Sequence, residues 1–202
     1  MKNFPEILKL KDVLQKLPLI GPKTSEKITF FLLKADQNLI QEIISSIRDL
    51  RENIAFCQNC FGITTSKLNP CHICMDNNRE PIICVVEDFK DQLFIENLQA
   101  YNGKYHILEG LINPIEGKTP DKLKIKELLT RLEKENIKEV IFAIPSSLEG
   151  DITVEYISNK IKEKLTKQPV LSRLAVGIPA GGELEQADKI TLLNAINNRK
   201  KI

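Results

Sequence analysis

Two Cys-x-x-Cys pairs, Cys57-Gln58-Asn59-Cys60 and Cys71-His72-Ile73-Cys74, stand ten residues apart in a chain of 202 residues that has five cysteines. Four thiolates presented by two tight turns are the arrangement that a tetrahedral Zn²⁺ requires. The protein then fills every coordination position, so we predict one structural zinc ion per chain rather than a catalytic metal. Two disulfides, or a redox-active Cys-x-x-Cys pair, are the alternatives that the spacing leaves open.

The composition is that of an ordinary soluble domain, or pair of domains, with an aliphatic core. The chain has no Trp, a net charge of +2 and no apolar run long enough to span a bilayer. The N-terminus lacks the features of a secretory signal, so we expect a cytoplasmic protein without a membrane segment. Residues 1–34 carry seven Lys against three acidic residues, which concentrates positive charge at this end.

The N-terminal region is predicted to be helical and to contain a hairpin that binds DNA. The stretch 18–22 contains two prolines and a glycine, and it separates a helix over residues 5–17 from another over 23–34. Free backbone N–H groups at the start of the second helix, together with Lys23 and Lys27, could meet the phosphates of a duplex. The alternative is an ordinary helical hairpin whose lysines are solvated.

A third helix is predicted over residues 37–55. Its apolar side chains recur at helical spacing and are expected to form a buried stripe, which consists of Leu39, Ile43, Ile47, Leu50 and Ile54. The helix leads directly into the first cysteine pair. The cysteine-rich segment is therefore expected to join the helical region to the part of the chain that follows.

Beyond residue 80, short apolar segments alternate with helical ones, which is typical of a parallel sheet covered by helices. The segment 82–86 is apolar throughout, as expected for a strand that is buried on both faces. Further strands are predicted over residues 104–108, 139–144 and 170–174. We therefore predict an α/β domain with a mostly parallel sheet.

Three acidic residues follow the predicted strands. Glu87 comes directly after the first strand, and Glu149 and Asp151 lie in the predicted exit loop of the third. If these strands are neighbours, the carboxylates converge at one edge of the sheet, and convergent carboxylates hold Mg²⁺ in phosphoryl-transfer sites. The alternative is solvated acidic residues in loops and first helical turns, where the helix dipole favours them.

The C-terminal part contains a glycine-rich loop, Gly181-Gly182-Glu183-Leu184-Glu185, followed by a terminal helix. A G-x-x-x-x-G-K-[ST] phosphate-binding loop is absent from the sequence, so we expect no ATP hydrolysis.

The order of these parts resembles the RecR family of bacterial recombination mediators over essentially the whole chain. Each segment that carries the resemblance is weak alone, the zinc pattern excepted, but all of them in this order are highly specific. These segments are Leu17-Pro18-Leu19-Ile20-Gly21-Pro22-Lys23, the four cysteines, Cys84-Val85-Val86-Glu87, Leu148-Glu149-Gly150-Asp151, and Ser172-Arg173-Leu174-Ala175 running to the glycine-rich loop.

The resemblance implies an α+β protein of four parts. These are a helix-hairpin-helix region (1–55), a four-cysteine zinc finger (56–78), a Toprim domain (79–170), and a C-terminal segment (171–202) with a Walker-B-like loop and a helix. It also implies a non-catalytic DNA repair and recombination protein that forms a homo-oligomer, a dimer or a tetrameric ring, on double-stranded and gapped DNA. The implied partners are RecO and, where present, RecF, and the implied role is to promote RecA loading on single-stranded gaps.

The resemblance also assigns roles to individual residues. Positions matching Lys23 and Lys27 resemble duplex contacts, and the Toprim acidic face matching Glu87, Glu149 and Asp151 is implicated in partner binding, with Mg²⁺ not expected to be required. The sequence departs from the family at three positions: Leu19 replaces the usual hairpin glycine, Asp151 replaces a usual Glu, and Val176 stands where His is frequent.

The competing hypothesis is a Mg²⁺-dependent enzyme, either a Toprim nuclease or a primase-like protein. A topoisomerase would need a nucleophilic tyrosine on a separate cleavage domain, and all three tyrosines of this chain fall within the sheet-and-helix region. A primase would need more chain for template and nucleotide handling. A small nuclease needs little beyond three carboxylates, so cleavage of DNA has to be tested directly.

Overall fold

The computed structural model describes residues 4–178 and 180–199. Pro179 of the C-terminal segment and the final three residues therefore lie outside the described part. The chain divides into two compact units, residues 1–54 and residues 55–202. Within the described ranges, no helix is both long enough and apolar enough to cross a membrane.

The first unit is made of three helices, α1 (Pro5–Leu14), α2 (Pro22–Lys34) and α3 (Gln37–Asn53). A proline occupies the first turn of α1 and of α2, where its missing N–H is not needed for helical hydrogen bonding. The Asp36 carboxylate caps α3 by accepting a hydrogen bond from the backbone N–H of Leu39. An ion pair of 2.8 Å between Lys11 and Glu26 joins α1 to α2.

The predicted buried stripe of α3 is wrong for the single chain. No residue of α3 is buried, and Ile47 and Leu50 keep 60% and 61% of their surface exposed. The helix itself is present, but periodicity shows only that a stripe exists and not what covers it. An exposed apolar stripe of this length is typical of a surface that contacts a partner.

A small sheet of β1 (Ile54–Phe56), which starts at the boundary between the units, and β2 (Ile63–Thr65) comes next, followed by the short helix α4 (His72–Met75). The main sheet then has four strands in the order β4-β3-β5-β6, and every pairing in it is parallel. Its strands are β3 (Ile82–Val86), β4 (Lys104–Ile107), β5 (Glu139–Ala143) and β6 (Val170–Arg173). The parallel sheet that the sequence predicts is therefore confirmed.

Helices connect successive strands, as parallel pairing requires. They are α5 (Phe89–Asn97), α6 (Ile125–Lys134) and α7 (Leu148–Lys164), and α8 (Lys189–Asn197) follows the last strand. In the register of the sheet, Val86 pairs with Ala143, so β3 and β5 are neighbours whose carboxyl ends lie side by side. The edge where Glu87 emerges is thus the edge from which the chain leaves β5 toward α7.

The two faces of the main sheet bury separate apolar clusters, because alternate residues of a strand point to opposite faces. Ile83 and Val85 belong to a cluster that includes α6 and α7. Cys84 and Val86 belong to the other cluster, and this cluster also contains all four cysteines of the Cys-x-x-Cys pairs. The cysteine-rich segment is therefore part of the core of the second unit.

Candidate functional site

The four paired cysteines form a compact and buried group. Their sulfur atoms all lie within 4.8 Å of one another, and the Sγ–Sγ distance is 3.8 Å for Cys57 and Cys74 and 3.7 Å for Cys60 and Cys71. A tetrahedron with Zn–S bonds of about 2.3 Å has edges of about 3.8 Å, so these separations suit zinc. They are much longer than a disulfide bond, and all five cysteines are free.

Backbone hydrogen bonds shape the turn that carries the first cysteine pair. The N–H groups of Asn59 and Cys71 lie 3.4 Å and 3.3 Å from the Cys57 sulfur and donate to it. The turn closes where the N–H of Phe61, at a left-handed φ of 64°, donates to the Cys57 carbonyl. The N–H of Ile107 in β4 donates to the Cys60 carbonyl over 2.9 Å, which fastens the turn to the main sheet.

The charges of the four sulfurs favour a bound dication. Hydrogen bonding with the neighbouring thiols, first of all that of Cys60, lowers the pKa of Cys57, whereas hydrogen bonding with Cys57 raises the pKa of Cys74. Four thiolates this close together would repel one another without a cation between them. Zinc fits this donor set, would be held by all four cysteines, and would act as a structural cross-link with no open position for a substrate. His72, which lies between the cysteines of the second pair, is exposed.

The N-terminal hairpin keeps a left-handed turn without the usual glycine. Leu19 has φ 65° and a side chain that is fully exposed, with a relative accessibility of 102%. A non-glycine residue in this conformation costs about 1–2 kcal/mol, so the turn is preserved against a local preference. Leu19 therefore combines a left-handed backbone conformation with an exposed apolar side chain at the tip.

The start of α2 is open to solvent. Gly21 precedes the helix in extended conformation, no side chain caps this end, and Lys23 and Lys27 are both exposed. Among the residues that the structure describes, neither lysine forms an ion pair with a carboxylate. The free backbone N–H groups and two unpaired cations can meet an anion such as a phosphate.

The acidic segment after β5 lies in a helix and not in a loop. α7 begins at Leu148, so the prediction that Glu149 and Asp151 occupy an exit loop is wrong. The Ser147 hydroxyl starts the helix early by accepting a hydrogen bond from the N–H of Gly150 over 3.1 Å. A side chain at Gly150 would place its Cβ far inside van der Waals contact with the Pro145 carbonyl oxygen, so only glycine allows this close approach.

One of the three carboxylates already has a cationic partner. The Arg173 guanidinium, at the end of β6, donates to Asp151 over 2.6 Å and to the Pro145 carbonyl over 2.9 Å. Burial raises the pKa of Glu87, with repulsion from Asp91 adding to the effect. Asp151 and Glu87 therefore lie in different environments, since Asp151 is paired with a cation whereas Glu87 is partly buried near another carboxylate.

These three carboxylates are not gathered into one cluster of ligand atoms in the described part of the chain. Within the described ranges, one group of at least three Asp, Glu, Cys or His side chains has all its ligand atoms within 4.8 Å of one another. That group consists of the four paired cysteines. The neighbouring strands bring Glu87 and α7 to one edge of the sheet, but not into a single coordination shell. The pairing of Arg173 with Asp151 also offsets the charge of one of the three carboxylates.

Comparison with known proteins identifies the family. Residues 82–174 match the family model of the Toprim domain, and residues 177–200 match that of the RecR C-terminal region. Curated relatives named "Recombination protein RecR" come from Paenarthrobacter aurescens strain TC1 (40% identity over 96% of each chain), Natranaerobius thermophilus (38% over 100% of each) and Geotalea uraniireducens strain Rf4 (41% over 97% of this chain and 96% of the relative). The chain belongs to the RecR family. The resemblance that the sequence suggested is confirmed, as is the Toprim fold.

Arg173 is the site residue that sequence reasoning missed in this RecR-family chain. It stands in the segment Ser172-Arg173-Leu174-Ala175, which contributed to the family resemblance but received no role. The sequence feature that could have identified Arg173 is a basic residue at the carboxyl end of a predicted strand, next to the sheet edge that carries the acidic residues. The pairing joins residues that are 22 positions apart, so only the order of the strands reveals it.

Proposed function

We propose that this RecR-family protein is a non-enzymatic DNA clamp and adaptor in DNA repair and recombination. It would act in the cytoplasm with RecO, and with RecF where present, to promote RecA loading on single-stranded gaps. The observation that carries this proposal is the match, at 38–41% identity over nearly the full length, to relatives named as recombination proteins. The four-part division into residues 1–55, 56–78, 79–170 and 171–202 is proposed with it.

Double-stranded and gapped DNA are the proposed ligands of the helical hairpin. Lys23 and Lys27 lie four residues apart on α2, so both project from one side of the helix. The uncapped N-terminus of α2 adds backbone N–H donors and the positive end of the helix dipole. Contacts of this kind hold a duplex through its phosphates without reading its sequence.

A homo-oligomer, a dimer or a tetrameric ring, is the proposed assembly. It is supported by the exposed apolar stripe of α3, which a single chain leaves in water at an unfavourable free energy. The C-terminal helix α8 has a similar surface, since Ile190 is 72% exposed and Leu193 and Ile196 are about half exposed. A second copy of the chain could cover such surfaces symmetrically.

Partner proteins are proposed to bind the acidic edge of the sheet, where Glu87 and Glu149 are partly accessible and Asp151 is exposed. Opposite charge on a partner would favour this edge and speed association. Zinc is proposed to hold the fold, while Mg²⁺ is proposed to be unnecessary. The pairing of Arg173 with Asp151 argues against a nuclease or primase, which would need its carboxylates for metal.

Retention on DNA circles tests the clamp. The purified protein is bound to a gapped circular plasmid and to the same plasmid linearised away from the gap, and its release is followed after dilution into competitor. A clamp that surrounds DNA leaves the linear form faster, because it can slide off the ends. Equal release from both forms would contradict the clamp.

A cleavage assay tests the competing enzyme hypothesis. The same gapped and linear DNAs are incubated with the protein and Mg²⁺, and no new ends are expected. Cleavage that disappears in Glu87→Ala or Glu149→Ala would overturn the non-enzymatic proposal. Contaminating nuclease would act equally in these variants and the wild type, so the comparison separates the two sources.

A further inference from the structure

Leu19 lies at the tip of the hairpin, and its apolar side chain takes no part in the proposed phosphate contacts. We propose that its side chain inserts where a base stack is interrupted, so that the hairpin prefers gapped or nicked DNA to a continuous duplex. The inference rests on the proposed DNA-binding function and adds a preference among DNA substrates. It concerns a residue at which this chain departs from the usual glycine.

The geometry presents Leu19 outward. Its side chain is fully exposed, whereas the next residue, Ile20, is partly buried. Its φ of 65° turns the chain at this point, immediately before Gly21 and the N-terminus of α2. The apolar side chain therefore stands at the apex, next to the groups that would contact phosphates.

The positive charge around Leu19 favours DNA, rather than another copy of the protein, as the molecule that contacts the tip of the hairpin. Residues 13–25 contain two lysines, Lys16 and Lys23, and no acidic residue. The acidic residues that flank this stretch are Asp12 and Glu26, and Glu26 is paired with Lys11. Residues 9–27 carry five lysines against these two carboxylates, so the hairpin remains positively charged. Two copies of so basic a tip would repel each other, whereas a polyanion would be attracted.

Apolar side chains that contact DNA act as wedges between base steps, and the wedge has to overcome the stacking of the two bases. At a nick or at the edge of a gap this stacking is already interrupted or easily lost. The same side chain therefore gains more from insertion there than within an intact duplex. Phosphate contacts by Lys23 would be alike in both DNAs, so the preference should depend on Leu19 alone.

Fluorescence anisotropy with three DNAs of equal length, one continuous, one nicked and one gapped, measures the preference. We expect the wild type to bind gapped DNA at least about fivefold more tightly than continuous duplex. Such a difference in affinity corresponds to only part of the free energy that a wedge has to spend on unstacking two bases of an intact duplex. Leu19→Gly and Leu19→Gln should bind all three DNAs alike, with the salt dependence of binding unchanged. Leu98→Ala is the matched control, since Leu98 is 59% exposed at the C-terminal end of α5 in the other unit, and it should keep the wild-type preference.

The outcomes separate this inference from the proposed function. A wild type without preference, or a Leu19→Gly variant that retains it, would overturn the inference while leaving DNA binding intact. Failure of the wild type to bind any of the DNAs would overturn both. Loss of preference together with a changed oligomeric mass would assign Leu19 to an interface between copies and overturn the inference. Glycine accepts the left-handed turn, so this variant is expected to fold, which circular dichroism checks.

Discussion

Replacing Lys23 and Lys27 together by alanine tests how the hairpin holds DNA. Both side chains are exposed, lie on one side of α2 and have no carboxylate partner among the described residues, so each is free to contact one phosphate. One phosphate contact contributes about 0.9 to the slope of log affinity against log salt. Two contacts therefore predict that the double variant loses about 1.8 from the slope for duplex DNA.

The expected difference between the proteins follows from this slope. Between about 50 mM and 200 mM salt the wild type should lose roughly 12-fold more affinity than the double variant, since a fourfold change in salt is raised to the power of about 1.8. Anisotropy titrations at four salt concentrations, with a duplex of fixed length, provide the measurement. The variant should bind more weakly at low salt and approach the wild type as salt increases.

A second double variant controls for the loss of charge itself. Lys160→Ala with Lys164→Ala removes the same two positive charges from residues four apart near the end of α7. Its salt slope should stay close to that of the wild type. If the hairpin variant keeps the wild-type slope, or if both variants lose the same amount, the lysines of α2 are not the phosphate contacts.

Four further predictions concern the second unit. Zinc removal by a chelator should lower the melting temperature, since the cysteines lie within its core, and a melting curve indifferent to chelation would argue against a structural metal. Gly150→Ala should destabilise the fold by about 1–3 kcal/mol in urea unfolding, because its Cβ would collide with the Pro145 carbonyl oxygen, whereas Ser146→Ala should have little effect. Arg173→Gln should increase the affinity for Mn²⁺, measured by electron paramagnetic resonance, because Asp151 loses the guanidinium that pairs with it. Arg173→Lys keeps a cation there and should not increase this affinity. Equal affinity in the wild type and both variants would refute the prediction. Burial lowers the pKa of His106 to about 3, so the folded state keeps it neutral while the unfolded chain takes up a proton below about pH 6.5. Stability should therefore fall by about 1.6 kcal/mol between about pH 6.5 and pH 5, and His106→Gln should lack this component.

The features that the sequence predicted correctly depend on neighbours in the chain. The spacing within Cys57–Cys60 and Cys71–Cys74 is local, and tetrahedral metal geometry leaves little freedom in how two such turns combine. The segment Ile82–Val86 could be recognised as a buried strand because no residue in it is polar. In both cases the chemistry of a few consecutive residues limits the structures that the segment can adopt.

The features that were missed depend on residues far apart in sequence. Arg173 meets Asp151 because β6 pairs with β5, and no local pattern contains this order. The early start of α7 depends on Gly150 fitting against Pro145, a packing detail that propensities do not include. The exposure of α3 has a different cause, since the amphipathic pattern is the same whether the apolar stripe faces its own chain or another.

The four cysteines lie in the core of the second unit, so loss of zinc should affect more than the cysteine-rich segment itself. If the cysteine-rich segment were only a linker, removing zinc would leave the main sheet intact. Instead, the four cysteines share a cluster with Cys84, Val86 and Tyr105, and the Cys60 carbonyl accepts a hydrogen bond from Ile107 in β4. A zinc ion held by these cysteines would therefore support one face of the strands β3 and β4, and the last residue of β3 immediately precedes Glu87. Loss of zinc should therefore weaken the partner binding that is proposed for the acidic edge, because it would disturb the sheet that carries Glu87.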